Sequence, residues 1–110
     1  MSLINKKCKA CEGYESPFTL KETMEYLEQI DNWSLSKDGK EIEKEFKFNN
    51  FKEAINFINK VAETAESEGH HPDISLYKYK FIKITLSTHN IKGLSENDFI
   101  MAAKIDCIFK

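Results

Sequence analysis

The three histidines of this 110-residue chain lie in two short segments that also contain acidic and hydroxyl side chains. In the first segment His70 and His71 are adjacent and follow Glu66, and the second segment ends at His89. Imidazole has an unperturbed pKa of roughly 6.5, so it can give and take protons near neutral pH. A histidine cluster beside carboxylates is therefore suited to general acid–base chemistry or to metal ligation.

Acid–base chemistry requires the two segments to meet in the fold. If the strand before His89 ends beside His70 and His71, three imidazoles come together. A dehydration needs an acid that protonates a departing hydroxyl and a base that removes a neighbouring proton, and two histidines in opposite protonation states can divide these tasks. Glu66, about one helical turn before His70, could fix an imidazole tautomer, and Asp98 is a second candidate for that role.

A metal site is the second interpretation of the residues, and an accidental cluster is the third. Adjacent histidines in extended backbone point to opposite sides, which argues against His70 and His71 binding one zinc ion. Cys8 and Cys11 form half of a zinc-ribbon pattern, but no second C-x-x-C pair is present. These cysteines are therefore interpreted as plain thiols rather than as a metal knuckle.

The composition excludes several other classes of function. Lysine and arginine total 16 against 18 acidic residues, so the chain lacks the positive field of a non-specific nucleic-acid binder. No apolar run approaches the roughly 20 residues of a membrane-spanning helix, and residues 1–7 lack the apolar core of a signal peptide. Together with an odd count of three cysteines, these features predict a cytoplasmic protein that binds neither nucleic acid nor membrane.

The start of the chain divides into an arm and a helix. Residues 1–18 are polar around Gly13 and predict an irregular arm, which leaves residues 19–110 as one domain. Thr19 and Glu22 have the spacing of a capping box. An apolar stripe at helical spacing, formed by Leu20, Met24, Leu27 and Ile30, then predicts a first helix of about three turns.

Two further helices are predicted from caps and periodicity. Asn50 can cap the second helix, whose apolar stripe runs from Phe51 to Ala65. Gly69 and Pro72 end it, since glycine accepts the left-handed cap conformation and proline cannot continue a helix. The third helix begins at Ser95, with Asp98 at the third position.

Four strands complete the predicted elements. Residues 33–35 and 42–48 flank Asp38-Gly39, which favours a hairpin, and residues 74–77 and 81–87 alternate apolar and polar side chains. Hairpin links between strands, with the helices collected on one face, predict an α+β fold rather than a doubly wound sheet.

At the histidines the chain resembles the pterin-4a-carbinolamine dehydratase family. The resembling motifs are Glu66-x-x-x-His70-His71-Pro72-Asp73, then Thr85-Leu86-Ser87-Thr88-His89, then Gly93-Leu94-Ser95-x-x-Asp98. The resemblance extends over almost the whole chain and is strongest to the bacterial and plant-like members. It implies a four-stranded antiparallel sheet with three helices packed on one face.

The resemblance also implies a reaction, the loss of water from a 4a-hydroxytetrahydropterin to give the quinonoid dihydropterin, with no metal or organic cofactor. Carried over by position, His70 and His89 are acid–base catalysts, and Glu66 shapes the electrostatics of the catalytic group. The remaining expected site residues bind the pterin substrate; they are His71, Pro72, Asp73, Ser87, Thr88 and Asp98.

Partners follow from the resemblance and from the sheet. The resemblance places the chain in pterin recycling after aromatic amino-acid hydroxylation, with a hydroxylase as a possible pathway partner. A small sheet exposes edge strands, and pairing of identical chains is one way to cover them, so a homodimer or homotetramer is expected. The alternative, from another class, is a regulatory protein of the dimerisation-cofactor kind that kept the fold and binds a protein partner.

Overall fold

The computed structural model describes residues 3–9 and 16–110. Within these ranges three helices and four strands alternate along the chain. They are α1 (Leu20–Leu27), β1 (Ser34–Leu35), β2 (Ile42–Lys47), α2 (Phe51–Glu68), β3 (Asp73–Tyr77), β4 (Phe81–Leu86) and α3 (Glu96–Phe109), with short 3-10 turns at Leu3–Asn5 and His89–Ile91. None of these helices is long and apolar enough to span a membrane.

The four strands form one sheet in the order β1-β2-β4-β3, and every neighbouring pair is antiparallel. Because side chains alternate across a strand, one face carries the buried residues and the other is polar. The buried face includes Ile42, Phe46, Ile82, Ile84 and Leu86. The predicted α+β fold, a four-stranded antiparallel sheet with three helices on one face, is confirmed.

Helix α1 has the predicted capping box, in which the Glu22 N–H donates to the Thr19 hydroxyl and the Thr19 N–H donates to the Glu22 carboxylate. Two residues of the predicted stripe, Leu20 and Met24, are 68% and 51% exposed, whereas Leu27 packs against the core and Ile30 is buried. The buried residue within the helix is Thr23. A helix rotates about 100° per residue, which places the two apolar residues beside the face that α1 turns to α3. The helix also stops at Leu27, one turn earlier than predicted.

Helix α2 begins at the predicted cap, where the Glu53 N–H donates to the Asn50 side chain, and ends at Gly69, whose φ is 68°. Its buried residues are Ala54, Phe57, Val61 and Ala65. Phe51 was expected inside and is 53% exposed. It lies at the side of the face that those four residues define, again because of the rotation of about 100° per residue.

Helix α3 is the most deeply buried element of the described chain. Eight of its residues are buried, and they include Asn97 and Asp98 in its first turn. The helix packs against the sheet, α1, α2 and the Leu3–Asn5 turn. The predicted boundary between residues 1–18 and 19–110 stays a prediction, but residues 3–9 rest on α3, and Leu3 is buried there.

Candidate active site

The centre of the candidate site is a buried pair formed by His70 and Asp98. Gly69 ends α2 in the left-handed conformation, so the chain turns and directs His70 under the start of α3. The His70 Nε2 atom lies 2.7 Å from Asp98 Oδ1, and the two side chains are 4% and 0% exposed. A buried charge of this kind persists in proteins when it is paired and hydrogen-bonded.

Two further polar groups donate to the Asp98 carboxylate and hold it in place. Its Oδ2 atom accepts hydrogen bonds from the Thr88 hydroxyl at 2.8 Å and from the Ser95 N–H at 3.0 Å. The hydroxyl oxygens of Thr88 and Ser95 lie 2.7 Å apart. Both carboxylate oxygens of Asp98 are therefore engaged, which fixes the side chain by the end of β4 and by the cap of α3 together.

This network assigns the proton on one nitrogen of His70. A carboxylate is only an acceptor, so Nε2 carries a proton and donates it to Asp98, and Nδ1 is the ring nitrogen that Asp98 does not contact. No buried side-chain nitrogen or oxygen in the described ranges lacks a hydrogen-bond partner, and the bond of the ring is at Nε2. Nδ1 is therefore the ring nitrogen that is left to exchange a proton with a ligand.

The second histidine makes the opposite kind of pair. His71 Nε2 lies 3.0 Å from Glu66 Oε1, and the two side chains are 61% and 79% exposed. The sequence spacing, with Glu66 one helical turn before His70, predicted a contact between these two residues. The left-handed turn at Gly69 instead places His71 beside Glu66. Because both side chains are solvated, the pair can open and re-form around a ligand at small energetic cost.

His89 begins the 3-10 turn that follows β4 and is exposed. Among the described residues, no hydrogen bond or ion pair joins it to His70 or His71; its neighbour Thr88 makes the link to Asp98. A cavity of about 270 Å³ opens beside it, lined by Asp38, Lys40, Glu41, Ser87, Thr88, His89, Lys92 and Gly93.

The other expected site residues are distributed around these groups. Pro72 is half-buried between His71 and β3, and Asp73 is exposed at the first position of β3, where it pairs with Thr85. Ser87 lines the cavity beside His89. Sequence reasoning treated Ser95 only as a helix cap, although the capping pattern with Asp98 was the signal that it also reaches the site.

Residues of the β1–β2 turn were also missed. Lys40 and Glu41 lie far from the histidine motifs in the sequence, yet they line the cavity beside His89. No local pattern identifies them, because the pairing of β2 with β4 is what brings this turn to the end of β4.

The described residues contain no group of three or more histidine, cysteine or acidic side chains arranged to hold a metal ion. Cys8 is half-buried and its thiol lies 3.7 Å from the carbonyl oxygen of Asn97. Burial, followed by the charges of Glu68 and Asp98, raises the pKa of the Cys8 thiol to about 12, which disfavours the thiolate that a metal would need. Cys11, its partner in the C-x-x-C pattern, lies outside the described residues.

The chemistry that this arrangement supports is proton transfer. One imidazole is fixed by a buried carboxylate through one of its ring nitrogens, an arrangement that histidine–carboxylate pairs in known active sites also use. A second imidazole and its carboxylate are free to rearrange, and a third lies beside an adjoining cavity. The site thus offers proton donors, proton acceptors and adjustable hydrogen-bonding groups.

Comparisons with known proteins identify the family of this chain. The sequence model of a family described as pterin 4 alpha carbinolamine dehydratase matches residues 16–108. A protein of Halorhodospira halophila, provisionally named a pterin-4-alpha-carbinolamine dehydratase, is 45% identical over 98% of each chain. A protein of Alkaliphilus metalliredigens with the same provisional name is 45% identical and covers 96% of this chain and 94% of its own.

Solved structures show the same fold. A transcriptional coactivator/pterin dehydratase from Brucella melitensis superposes with a TM-score of 0.81 at 33% identity, over 86% of this chain and 100% of its own. A pterin dehydratase-like RuBisCO assembly factor of the alpha-carboxysome, at 23% identity and a TM-score of 0.59, shares the fold. The matched family model, the relatives along nearly their whole length and the shared fold show that this chain belongs to the pterin-4-alpha-carbinolamine dehydratase family.

Proposed function

We propose that this protein removes water from a 4a-hydroxytetrahydropterin to give the quinonoid dihydropterin. In this reaction the bond between carbon 4a and its hydroxyl breaks, the hydroxyl leaves as water after accepting a proton, and the adjacent ring nitrogen gives up its proton. The site must therefore donate one proton and accept another. The observation that supports the proposal is the buried His70–Asp98 pair, in which His70 Nε2 carries a proton and donates it to Asp98.

His70 and His89 are the proposed acid–base pair. Asp98 keeps the His70 Nδ1 atom basic and oriented, which suits removal of the proton from the pterin nitrogen. His89 is exposed beside a cavity, which suits protonation of the departing hydroxyl. When product leaves, one proton has moved from substrate to the site and one from the site to water, so the two histidines return to their starting states by exchange with solvent.

His71 and Glu66 are the proposed adjustable contacts of the site. Their exposed pair can separate, so that the imidazole orients the pterin while Glu66 supplies negative charge near the catalytic groups. Pro72, Asp73 and Ser87 then form the wall between the histidines. Thr88 acts mainly through Asp98, because its hydroxyl is already bound to that carboxylate.

The proposal includes a setting for the reaction. Dehydration of this kind serves recycling of a pterin cofactor after aromatic amino-acid hydroxylation, so a hydroxylase would be a pathway partner, and the reducing cytoplasm is the proposed compartment. The sheet ends at β1 and β3. Five residues of β3 offer an edge that a second copy can cover, which supports a homodimer or homotetramer.

Stopped-flow absorbance of freshly generated 4a-hydroxytetrahydropterin tests the reaction. We expect the wild-type chain to accelerate dehydration, chelator to have no effect, and His70→Ala and His89→Ala each to reduce the rate by at least about 100-fold. Cys107→Ser, an exposed change on the last turn of α3, is the control and keeps the wild-type rate. A wild-type rate equal to the spontaneous rate contradicts the proposal.

A second candidate function is binding of a protein partner on the same fold. The Brucella neighbour is described as a transcriptional coactivator as well as a pterin dehydratase, and here α1 exposes Leu20 and Met24. Partner binding would survive the double change of His70 and His89 to alanine and would be lost in Leu20→Ser/Met24→Ser. Dehydration would be lost in the double histidine variant and would survive in Leu20→Ser/Met24→Ser, so the same variants distinguish the two functions.

A further inference from the structure

The first residues of the chain reach the two helix ends that hold the His70–Asp98 pair. Leu3–Asn5 forms a 3-10 turn on α3 and buries Leu3, and the backbone continues along the start of that helix to Lys9. These residues precede the stretch of 16–108 that the family model matches. Relatives of full length match these residues as well, since the Halorhodospira protein aligns over 98% of this chain.

The arm is bound to the first turn of α3 by polar contacts. Lys6 Nζ lies 2.6 Å from Glu96 Oε2. Asn97 makes a two-way contact with the backbone of Lys9, accepting from its N–H at 3.1 Å and donating to its carbonyl at 2.7 Å. Asn97 is 1% exposed and directly precedes Asp98, so this contact fixes the backbone that carries the Asp98 carboxylate.

The same arm is bound to the end of α2. The Cys8 N–H donates to Glu68 Oε1 at 2.8 Å, and the Glu68 side chain is 7% exposed. Lys104 bridges the carbonyl of Ile4, at 2.8 Å, and the second oxygen of Glu68, at 3.8 Å. Glu68 is the last residue of α2 and lies two positions before His70.

The chain returns to this region after the residues that are not described. The Phe18 N–H donates to the carbonyl of Leu94 at 2.7 Å, and the Phe18 ring stacks on Phe99. Pro17 approaches Gly93 so closely that a methyl group there would lie 2.5 Å from the Pro17 side chain. Residues 3–9 thus contact α3 between Ser95 and Asp98, and residues 17–18 contact the chain on either side of them.

We infer that residues 3–9 are a positioning strap for the active site, with Asn97 and Glu68 as the positioning residues through which it sets the His70–Asp98 geometry. The strap joins the end of α2 to the start of α3. At the end of α2 it binds Glu68, two positions before His70, and at the start of α3 it binds Asn97, one position before Asp98. Proton transfer depends on small displacements of the donor and acceptor, so loosening either end lowers the rate without removing a group that touches substrate. The effect of the strap on the reaction rate rests on the proposed dehydration, whereas its effect on the His70–Asp98 geometry does not.

Nuclear magnetic resonance of the His70 ring tests the strap independently of turnover. In the wild-type chain the Nε2 proton, bound to Asp98 at 2.7 Å, should be a slowly exchanging resonance, assigned by its loss in His70→Ala. Asn97→Ala and Glu68→Ala should each make its exchange with water at least tenfold faster. Glu68→Gln should restore the wild-type exchange, because the amide oxygen still accepts from the Cys8 N–H.

The matched control is Phe46→Leu, a destabilising change in the core at the far end of α3, where Phe46 contacts Phe109. It should lower the melting temperature by as much as Glu68→Ala does, and the exchange rate of the His70 Nε2 proton should stay at its wild-type value. In the dehydration assay, Glu68→Ala should lower kcat at least tenfold with KM within twofold, while Glu68→Gln stays near wild type.

The outcomes separate the strap from the reaction. Unchanged proton exchange in folded Glu68→Ala, or equal acceleration in Phe46→Leu, overturns the strap even if the wild-type chain is active. Faster exchange in Glu68→Ala and its reversal in Glu68→Gln support the strap even if no dehydration is found. If Asn97→Ala does not fold, the two Glu68 variants decide the question.

Discussion

Two histidines that are neighbours in the sequence form two very different pairs in the structure. His70 is buried against Asp98, and His71 is exposed against Glu66, although both pairs join an imidazole to a carboxylate at 3.0 Å or less. The buried pair is fixed by Thr88 and Ser95, whereas the exposed pair competes with water. The same two functional groups can thus supply a rigid proton acceptor and an adjustable ligand contact within one turn of the chain.

The largest expected difference between the pairs is in stability. Asp98→Ala leaves His70, Thr88 and the Ser95 N–H without their buried acceptor, so we expect the free energy of unfolding to fall by about 3 kcal/mol or more. Glu66→Ala should change it by less than about 0.5 kcal/mol, because that pair is solvated. Urea unfolding at pH 7 measures both, and equal losses would show that the pairs are not distinct.

Kinetics should sharpen the same comparison. His70→Ala removes a proposed proton acceptor and should lower kcat by about 100-fold or more, with little change in KM. His71→Ala removes a contact that orients the substrate and should mainly raise KM, by about tenfold or less. Steady-state dehydration rates over a range of pterin concentrations check this, and a kcat loss for His71→Ala as large as for His70→Ala would contradict the division of roles.

The smallest expected effect concerns the charged contact of the strap, which, like the His71–Glu66 pair, is partly solvated. The hydrogen bond from Lys6 holds the pKa of Glu96 below its ordinary value, and the Tyr26 hydroxyl contributes to the same shift against the effect of partial burial. A carboxyl whose folded pKa is lowered stabilises the protein above its unfolded pKa of roughly 4.5, and this stabilisation is lost as pH falls through the folded pKa.

Glu96→Gln should therefore lower the melting temperature at pH 7 by on the order of 1–3 °C and should have no such effect near pH 2. Differential scanning calorimetry at the two pH values measures the change. A loss of equal size at both pH values would show that packing of Glu96, rather than its charge, accounts for the effect.

Helical and strand periods were sufficient to identify the elements, because they depend on local geometry. Asn50, Gly69 and the Ser95–Asp98 pattern marked helix ends correctly, since a cap satisfies the backbone of its own helix. The same periods misplaced Leu20 and Phe51, because the width of a buried face depends on what packs against the helix. The local pattern is therefore a better predictor of where a helix forms than of which of its side chains are buried by the rest of the protein.

The sequence by itself determined the types of chemical group, the order of the elements and the opposite orientation of the two adjacent histidines. Only the tertiary structure decided that His70 is the buried one, because its partner Asp98 lies 28 residues later and is brought there by the packing of α3. The same holds for the strap, whose contacts join residues 60 to 100 positions apart. Such pairings follow from the summed packing of the whole chain, and no local spacing encodes them.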